Sequence, residues 1–137
     1  MRAPDMENAA VYLVKCTRLH DPGHFTGHIG THPATMADTI EQRAMHEDVV
    51  PAVRRAVSRL DRSFLIAVYC NAGEHRSVAI AEMVYRLLLR LGCNAVKRDL
   101  CDSLWNRRGC GCCSSCALSR RDEVRDHAVD QFVRMFI

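Results

Sequence analysis

Residues 70–77 read Cys-Asn-Ala-Gly-Glu-His-Arg-Ser, and their types and order suit the capture of an anion. Gly73 lets a short loop curl so that successive backbone N–H groups point inward. Arg76 offers a planar fork to two oxygens, and Ser77 adds a hydroxyl. Cys70, Asn71 and His75 complete the lining. If a helix opens at residue 76, its unpaired N–H groups and its dipole favour negative charge at the same place. A phosphate group meets these demands best.

The spacing Cys70-x5-Arg76, followed by Ser77, is also that of the Cys-dependent phosphatases. In that chemistry a thiolate attacks phosphorus, the arginine clamps the oxygens and an acid protonates the leaving group. Asp21 is the first candidate acid and Asp99 the second. A cysteine at a helix N-terminus beside an arginine is expected to ionise below its usual ~8.5. Tyr69 stands where those enzymes carry histidine. The competing structural role for Cys70 is that of a small buried hydrophobe at a strand end.

A second cluster comprises Cys101, Cys110, Cys112, Cys113 and Cys116. Cys113-x2-Cys116 is a spacing that lets two thiolates grip one tetrahedral ion, and Cys101 with Cys110 or Cys112 completes four sulfurs. Zinc held by Cys101, Cys110, Cys113 and Cys116 is therefore an expectation, with free thiols or oxidised pairs as the alternative. His20, His24, His28 and His32 recur every four residues, but Pro22, Gly23, Gly27, Gly30 and Pro33 argue against a helix that would align them. His28 or His32 could instead donate to an anion at the 70–77 loop.

These residues need elements to hold them. Residues 9–16 (AAVYLVKC) read as a strand, and 17–33 as a long functional loop. Residues 34–62 are helical in pattern, with Pro51 opening the second half. Val49, Val53, Ala56, Val57 and Leu60 share one face there, and Arg54, Arg55, Arg59 and Arg62 form a solvated one. The apolar run 63–70 (SFLIAVYC) predicts a strand buried on both faces. A helix follows from about 76 to 91, with Ile80, Val84, Leu87, Leu88 and Leu91 inward, Glu82 and Arg86 paired on its outer side, and Gly92 as its stop. Residues 94–100 (NAVKRDL) predict a further strand, parallel to 63–70 across the helix. Ser119 to Asp122 resembles a capping box for a closing helix with Val124, Ala128, Phe132 and Phe136 on one face.

The expected fold is thus α/β: a small, open, largely parallel sheet flanked by helices, the phosphate-type loop lying between a central strand and a helix. The 137 residues suit one domain: a core at 9–100, a Cys-rich insertion or metal knuckle at 101–118, and a helix at 119–137. Apolar residues at 48% and charged residues at 26% exclude a disordered chain. No run of 18 apolar residues occurs, so no membrane partner is expected. Residues 1–7 do not resemble a secretory signal, and eight cysteines without one suggest a reducing, cytoplasmic setting. A net charge of +3 permits an anionic ligand but is too small to argue for nucleic acid.

Residues 66–84 (IAVYCNAGEHRSVAIAEMV) resemble the C-terminal domain of the RapZ RNase-adapter family, whose motif runs Gly-Cys-Thr-Gly-Gly-x-His-Arg-Ser-Val and continues to Ile-Ala-Glu. Cys70, Gly73, His75, Arg76, Ser77, Val78, Ile80, Ala81 and Glu82 match. Asp21-Pro22, Thr26-Gly27 and Arg98-Asp99 resemble weaker landmarks. The resemblance spans about residues 9–100. It implies a small phosphorylated ligand, glucosamine-6-phosphate in the characterised bacterial case, with RNA and protein partners and oligomeric assembly. Carried over, Cys70, Gly73, His75 and Arg76 line the ligand, and Thr26 and Gly27 approach from the long loop. Tyr69, Asn71, Ala72 and Glu74 depart from the motif. The family's nucleotide-binding Gly-x-x-x-x-Gly-Lys-Ser/Thr motif is not in this chain, so nucleotide hydrolysis is not implied. A zinc-stabilised RNA or protein adaptor is the remaining alternative, with Lys97-Arg98, Arg107-Arg108 and Arg120-Arg121 as its basic residues.

Overall fold

Two runs of β-branched and aromatic residues meet to form the sheet. In the computed structural model, which describes residues 9–20, 30–70, 76–100, 115–118 and 121–137, β1 (Ala10–Lys15) lies parallel to β2 (Phe64–Tyr69). Ala10 pairs with Phe64 and Lys15 with Tyr69. The result is an α/β fold, a two-stranded parallel open sheet flanked by helices. Parallel strands need a long crossover. Here it carries α1 (Pro33–Glu41), a π-helical turn (Met45–Val49) and α2 (Val50–Val57).

Strand side chains alternate between faces. Val14 is fully buried, and Ile66 and Val68 pack against the core. On the other face Val11, Leu13, Leu65 and Tyr69 are 57%, 61%, 44% and 43% exposed. The sequence expectation that residues 63–70 are buried on both faces is therefore corrected. The shared core of the described helices meets the sheet through its even-numbered residues.

The helix expected over 34–62 is two helices. Gln42 leaves helical geometry with ψ 145°, because its side-chain amide clasps the backbone of His20. Oε1 accepts from His20 N at 2.6 Å and Nε2 donates to His20 O at 2.7 Å. The chain then resumes through the π turn. A proline ring collides with the carbonyl four residues back in an α-helix. The wider turn ahead of Pro51 accommodates it, and Val50 N bonds to Met45 O. Val49, Val53 and Ala56 are buried as expected, but Leu60 lies beyond α2 and is 41% exposed. Arg54 does more than face solvent: it donates to Met135 O at 2.9 Å and lies over the Phe136 ring.

Helix α3 (Arg76–Arg90) buries Ile80, Val84 and Leu87 as its spacing predicts. It ends at Gly92, whose φ of 81° is the left-handed conformation that favours glycine. Cys93 N reaches Leu88 O at 2.9 Å and Gly92 N reaches Leu89 O at 3.1 Å, closing a Schellman motif. Glu82 and Arg86 do pair, at 2.9 Å, but Glu82 is 2% exposed and belongs to the interior rather than the outer side.

That burial explains a second correction. Residues 94–100 join no ladder among the described residues, although their exposure alternates as a strand's would. Lys97 reaches Glu82 at 2.7 Å and Asp99 at 3.7 Å. Charge pairing with α3 holds the segment in place of hydrogen bonds to β2. The parallel pair of the fold is accordingly β1 with β2.

Helix α4 (Glu123–Arg134) starts from Asp122, which accepts from Val124 N at 2.9 Å and Arg125 N at 3.1 Å. Ser119, the expected first member of the capping box, lies outside the described residues. Val124 is 52% exposed and Arg125 is 2% exposed, so the inward position belongs to the arginine. Arg125 Nε donates to Thr31 O at 2.8 Å, Nη1 to Ala117 O at 3.3 Å, and Nη2 to Ser115 O. Thr31 Oγ1 in turn donates to Cys116 O at 2.6 Å. One guanidinium thus ties the end of the long loop and residues 115–118 to α4. Arg125→Ala is expected to cost on the order of 3 kcal/mol by leaving buried carbonyls unpaired, measurable by urea unfolding. Arg125→Lys should recover only part of that loss, since one ammonium cannot span three diverging acceptors.

Candidate functional site

β2 ends at Tyr69 and α3 begins at Arg76, so Cys70 and Arg76 flank the loop at the carboxyl end of a parallel strand. Open α/β sheets place their ligands there. Cys70 is half-buried, and its Sγ lies 3.2 Å from Ser77 Oγ, the thiol donating to the hydroxyl. Ser77 is itself buried in the first turn of α3. The structure therefore brings Cys70, Arg76 and Ser77 together. Asn71, Gly73 and His75 lie outside the described residues, as do Asp21, Thr26 and Gly27. Asp99, the second candidate acid, is described and is engaged by Lys97.

Arg76 has a role that its spacing did not announce. Its Nη1 donates to Leu19 O at 2.8 Å and to Thr17 O at 3.3 Å. The guanidinium is thereby fixed between the start of α3 and the chain leaving β1. Residues 18–20 continue into a cleft of about 430 Å³ lined by Arg18, His20, Gln42, Arg43 and Ala44. Arg18 is held by Glu47 at 2.6 Å and Asp48 at 2.8 Å. His32, one of the four regularly spaced histidines, serves as the N-cap of α1, with Nδ1 accepting from Ala34 N at 3.2 Å.

Two residues at the site escaped the sequence analysis. Cys16 stands one residue past β1, with no exposure, and its N–H donates to Tyr69 O at 2.9 Å. Burial pushes its thiol from 9.0 up to about 12, the charge of Cys70 adds to the rise, Arg76 opposes it, and Asp48 adds a little more. Asp48 approaches from the π turn, and its Oδ2 is buried without a hydrogen-bond partner among the described residues. The only sequence signal for Cys16 was its place at a strand end. Asp48 had none, because a π turn does not show in an α-helical projection.

Of the four expected zinc ligands, Cys101, Cys110 and Cys113 lie outside the described residues. Cys116 is described: it is 1% exposed and is seated by the Thr31 bond to its carbonyl. Among the described residues no group of three or more His, Cys, Asp or Glu side chains could hold a metal ion. No described helix is long and apolar enough to cross a membrane. No family model matches the chain, and neither a curated protein nor a solved structure does.

Cys16 supplies a pH test. Its folded pKa lies above its unfolded one, so the folded state keeps the proton longer. That contribution is complete below pH 9 and is lost as pH rises toward about 12. Wild-type protein should lose on the order of a few kcal/mol of unfolding free energy across this window. Cys16→Val should lose at least ~1 kcal/mol less over the same window, as read by urea denaturation at each pH.

Proposed function

We propose that this protein binds inorganic phosphate or a small phosphorylated metabolite of the amino-sugar phosphate type, at the loop joining β2 to α3. The observation that carries this reading is the convergence of Arg76, Ser77 and Cys70 at the N-terminus of a 15-residue helix, beyond the carboxyl end of a parallel strand. A phosphate there meets the helix dipole, the first-turn N–H groups and the Arg76 fork. The carbonyls of Leu19 and Thr17 orient that guanidinium before any ligand arrives, which lowers the ordering cost of binding. The matching residues 75–82 support the same class of ligand through the resemblance already described. RNA or protein partners and an oligomeric state belong to that resemblance alone.

Calorimetry against inorganic phosphate and a panel of sugar phosphates tests the proposal. Binding is expected for at least one of them, with Arg76→Ala weakening it about 10–100-fold, the loss of a charge-assisted bidentate contact. The absence of heat with every phosphorylated compound and with phosphate itself would sink the reading.

The 3.2 Å contact between Cys70 Sγ and Ser77 Oγ favours a second reading, a Cys-dependent phosphatase. In it Cys70 attacks phosphorus as the thiolate, Arg76 clamps the equatorial oxygens, and an acid, Asp21 in the sequence-based assignment, protonates the departing alcohol. The Ser77 hydroxyl then stabilises Cys70 as it leaves the thiophosphate during hydrolysis. This reading expects turnover of para-nitrophenyl phosphate that falls at least ~10³-fold in Cys70→Ser. Turnover equal in the two proteins would exclude the thiolate as nucleophile.

A further inference from the structure

The register of the sheet places two thiols side by side. Lys15 pairs with Tyr69, so Cys16 and Cys70 are the next residues on adjacent parallel strands. The Cys16 N–H still bonds to Tyr69 O at 2.9 Å, which keeps the two chains together at this point. Both cysteines continue the even-numbered, inward series: Tyr12, Val14 and Cys16 on one strand, Ile66, Val68 and Cys70 on the other. Their side chains therefore leave the sheet on the same face. Neighbouring strands lie about 4.8 Å apart, within the Cα separation of about 4.4–6.8 Å that a disulfide spans. Cys70 is near enough that its charge would add to the rise that burial imposes on the Cys16 thiol. Their exposures differ: Cys16 has none, whereas Cys70 is half-buried at the mouth of the loop.

We propose that Cys16 and Cys70 form a redox-active dithiol site, in which a peroxide oxidises Cys70 and Cys16 resolves it as an intrachain disulfide. In the first step the Cys70 sulfur attacks the O–O bond of hydrogen peroxide. The S–O bond of a sulfenic acid forms, the O–O bond breaks, and the departing hydroxide takes up the Cys70 thiol proton and leaves as water. In the second step the Cys16 sulfur attacks the sulfenic sulfur. The S–S bond forms, the S–O bond breaks, and the oxygen departs as water with the Cys16 proton. Two thiols are oxidised and one peroxide is reduced to two waters in all. Disulfide formation draws the Cys70 sulfur from Ser77 toward the β1 side. The inference stands apart from the phosphate reading, since it needs only the strand register.

The test is peptide mapping of the full wild-type chain. Protein treated with a few equivalents of hydrogen peroxide is acid-quenched, alkylated in denaturant and digested with trypsin. The expected product is a peptide joining residues 16–18 to residues 63–76, abolished by dithiothreitol and accounting for more than half of Cys70. Recovery of Cys70 as sulfinic acid, or joined to another cysteine, with residues 16–18 still alkylated, overturns the proposal. In Cys16→Ala the Cys70 sulfenic acid should label with dimedone at least five-fold more than in wild type. Equal labelling of the two proteins overturns it as well. Should the variant fail to fold, the wild-type map decides alone.

Discussion

Six residues of β1 run beside six of β2 in a fixed register, Ala10 against Phe64 and Lys15 against Tyr69. Nearly everything at the candidate site is set by that ladder. It puts the carboxyl ends of both strands at one edge, so that the chain leaving β1 and the helix following β2 emerge together. It aligns Cys16 with Cys70, and it leaves the Leu19 and Thr17 carbonyls where Arg76 can reach them. A slip of one residue would turn the slipped strand's inward series outward, exchanging Val14 for Leu13 if β1 moved or Val68 for Ala67 if β2 did. The buried face therefore enforces the register, and the register builds the site.

Two arginines convert that framework into a connected structure. Arg76 and Arg125 both donate to backbone carbonyls outside their own helices, at residues 17 and 19 and at residues 31, 115 and 117 respectively. A guanidinium suits this use because its donors are planar, divergent and permanently charged. Segments without regular structure cannot satisfy their own carbonyls, and an unpaired buried carbonyl is costly. The arginines let irregular chain pass close to the core without that cost. Glu82 has the complementary role, collecting Lys97 and Arg86 on the flank of α3.

Much of the framework was legible in the amino-acid sequence, for local reasons. Helix α3 carried an i, i+4, i+7 apolar pattern and a glycine stop, and each is a property of neighbouring residues. Both strands of the sheet were visible as short β-branched runs, and the α/β class followed from their alternation with helical segments. Arg125 was not legible, since nothing local distinguishes an arginine that bonds three carbonyls from one in water. Residues 94–100 alternated correctly yet pair with no strand among those described, because alternation encodes two faces and not a hydrogen-bonded neighbour. The break at Gln42 came from a side chain reaching back to His20, twenty-two residues away. Of the site, the grouping of Cys70, Arg76 and Ser77 was local and readable. The place of Cys16 beside it was a matter of register between strands fifty-four residues apart, which no single segment contains.

The Gln42 clasp also reaches beyond the helix end it creates. By holding His20 from both sides, it limits the freedom of the chain that presents the Leu19 and Thr17 carbonyls. Those carbonyls set where the Arg76 guanidinium rests. Any ligand that competes for the guanidinium must work against the order that Gln42 imposes, and any ligand that accepts its orientation gains from it. By thermodynamic reciprocity, a ligand bound at the start of α3 that moved the Arg76 guanidinium would in turn loosen the chain at residues 17–20. A neutral amide at the C-terminal end of α1 thus bears, through a stretch of backbone, on where the first side chain of α3 rests.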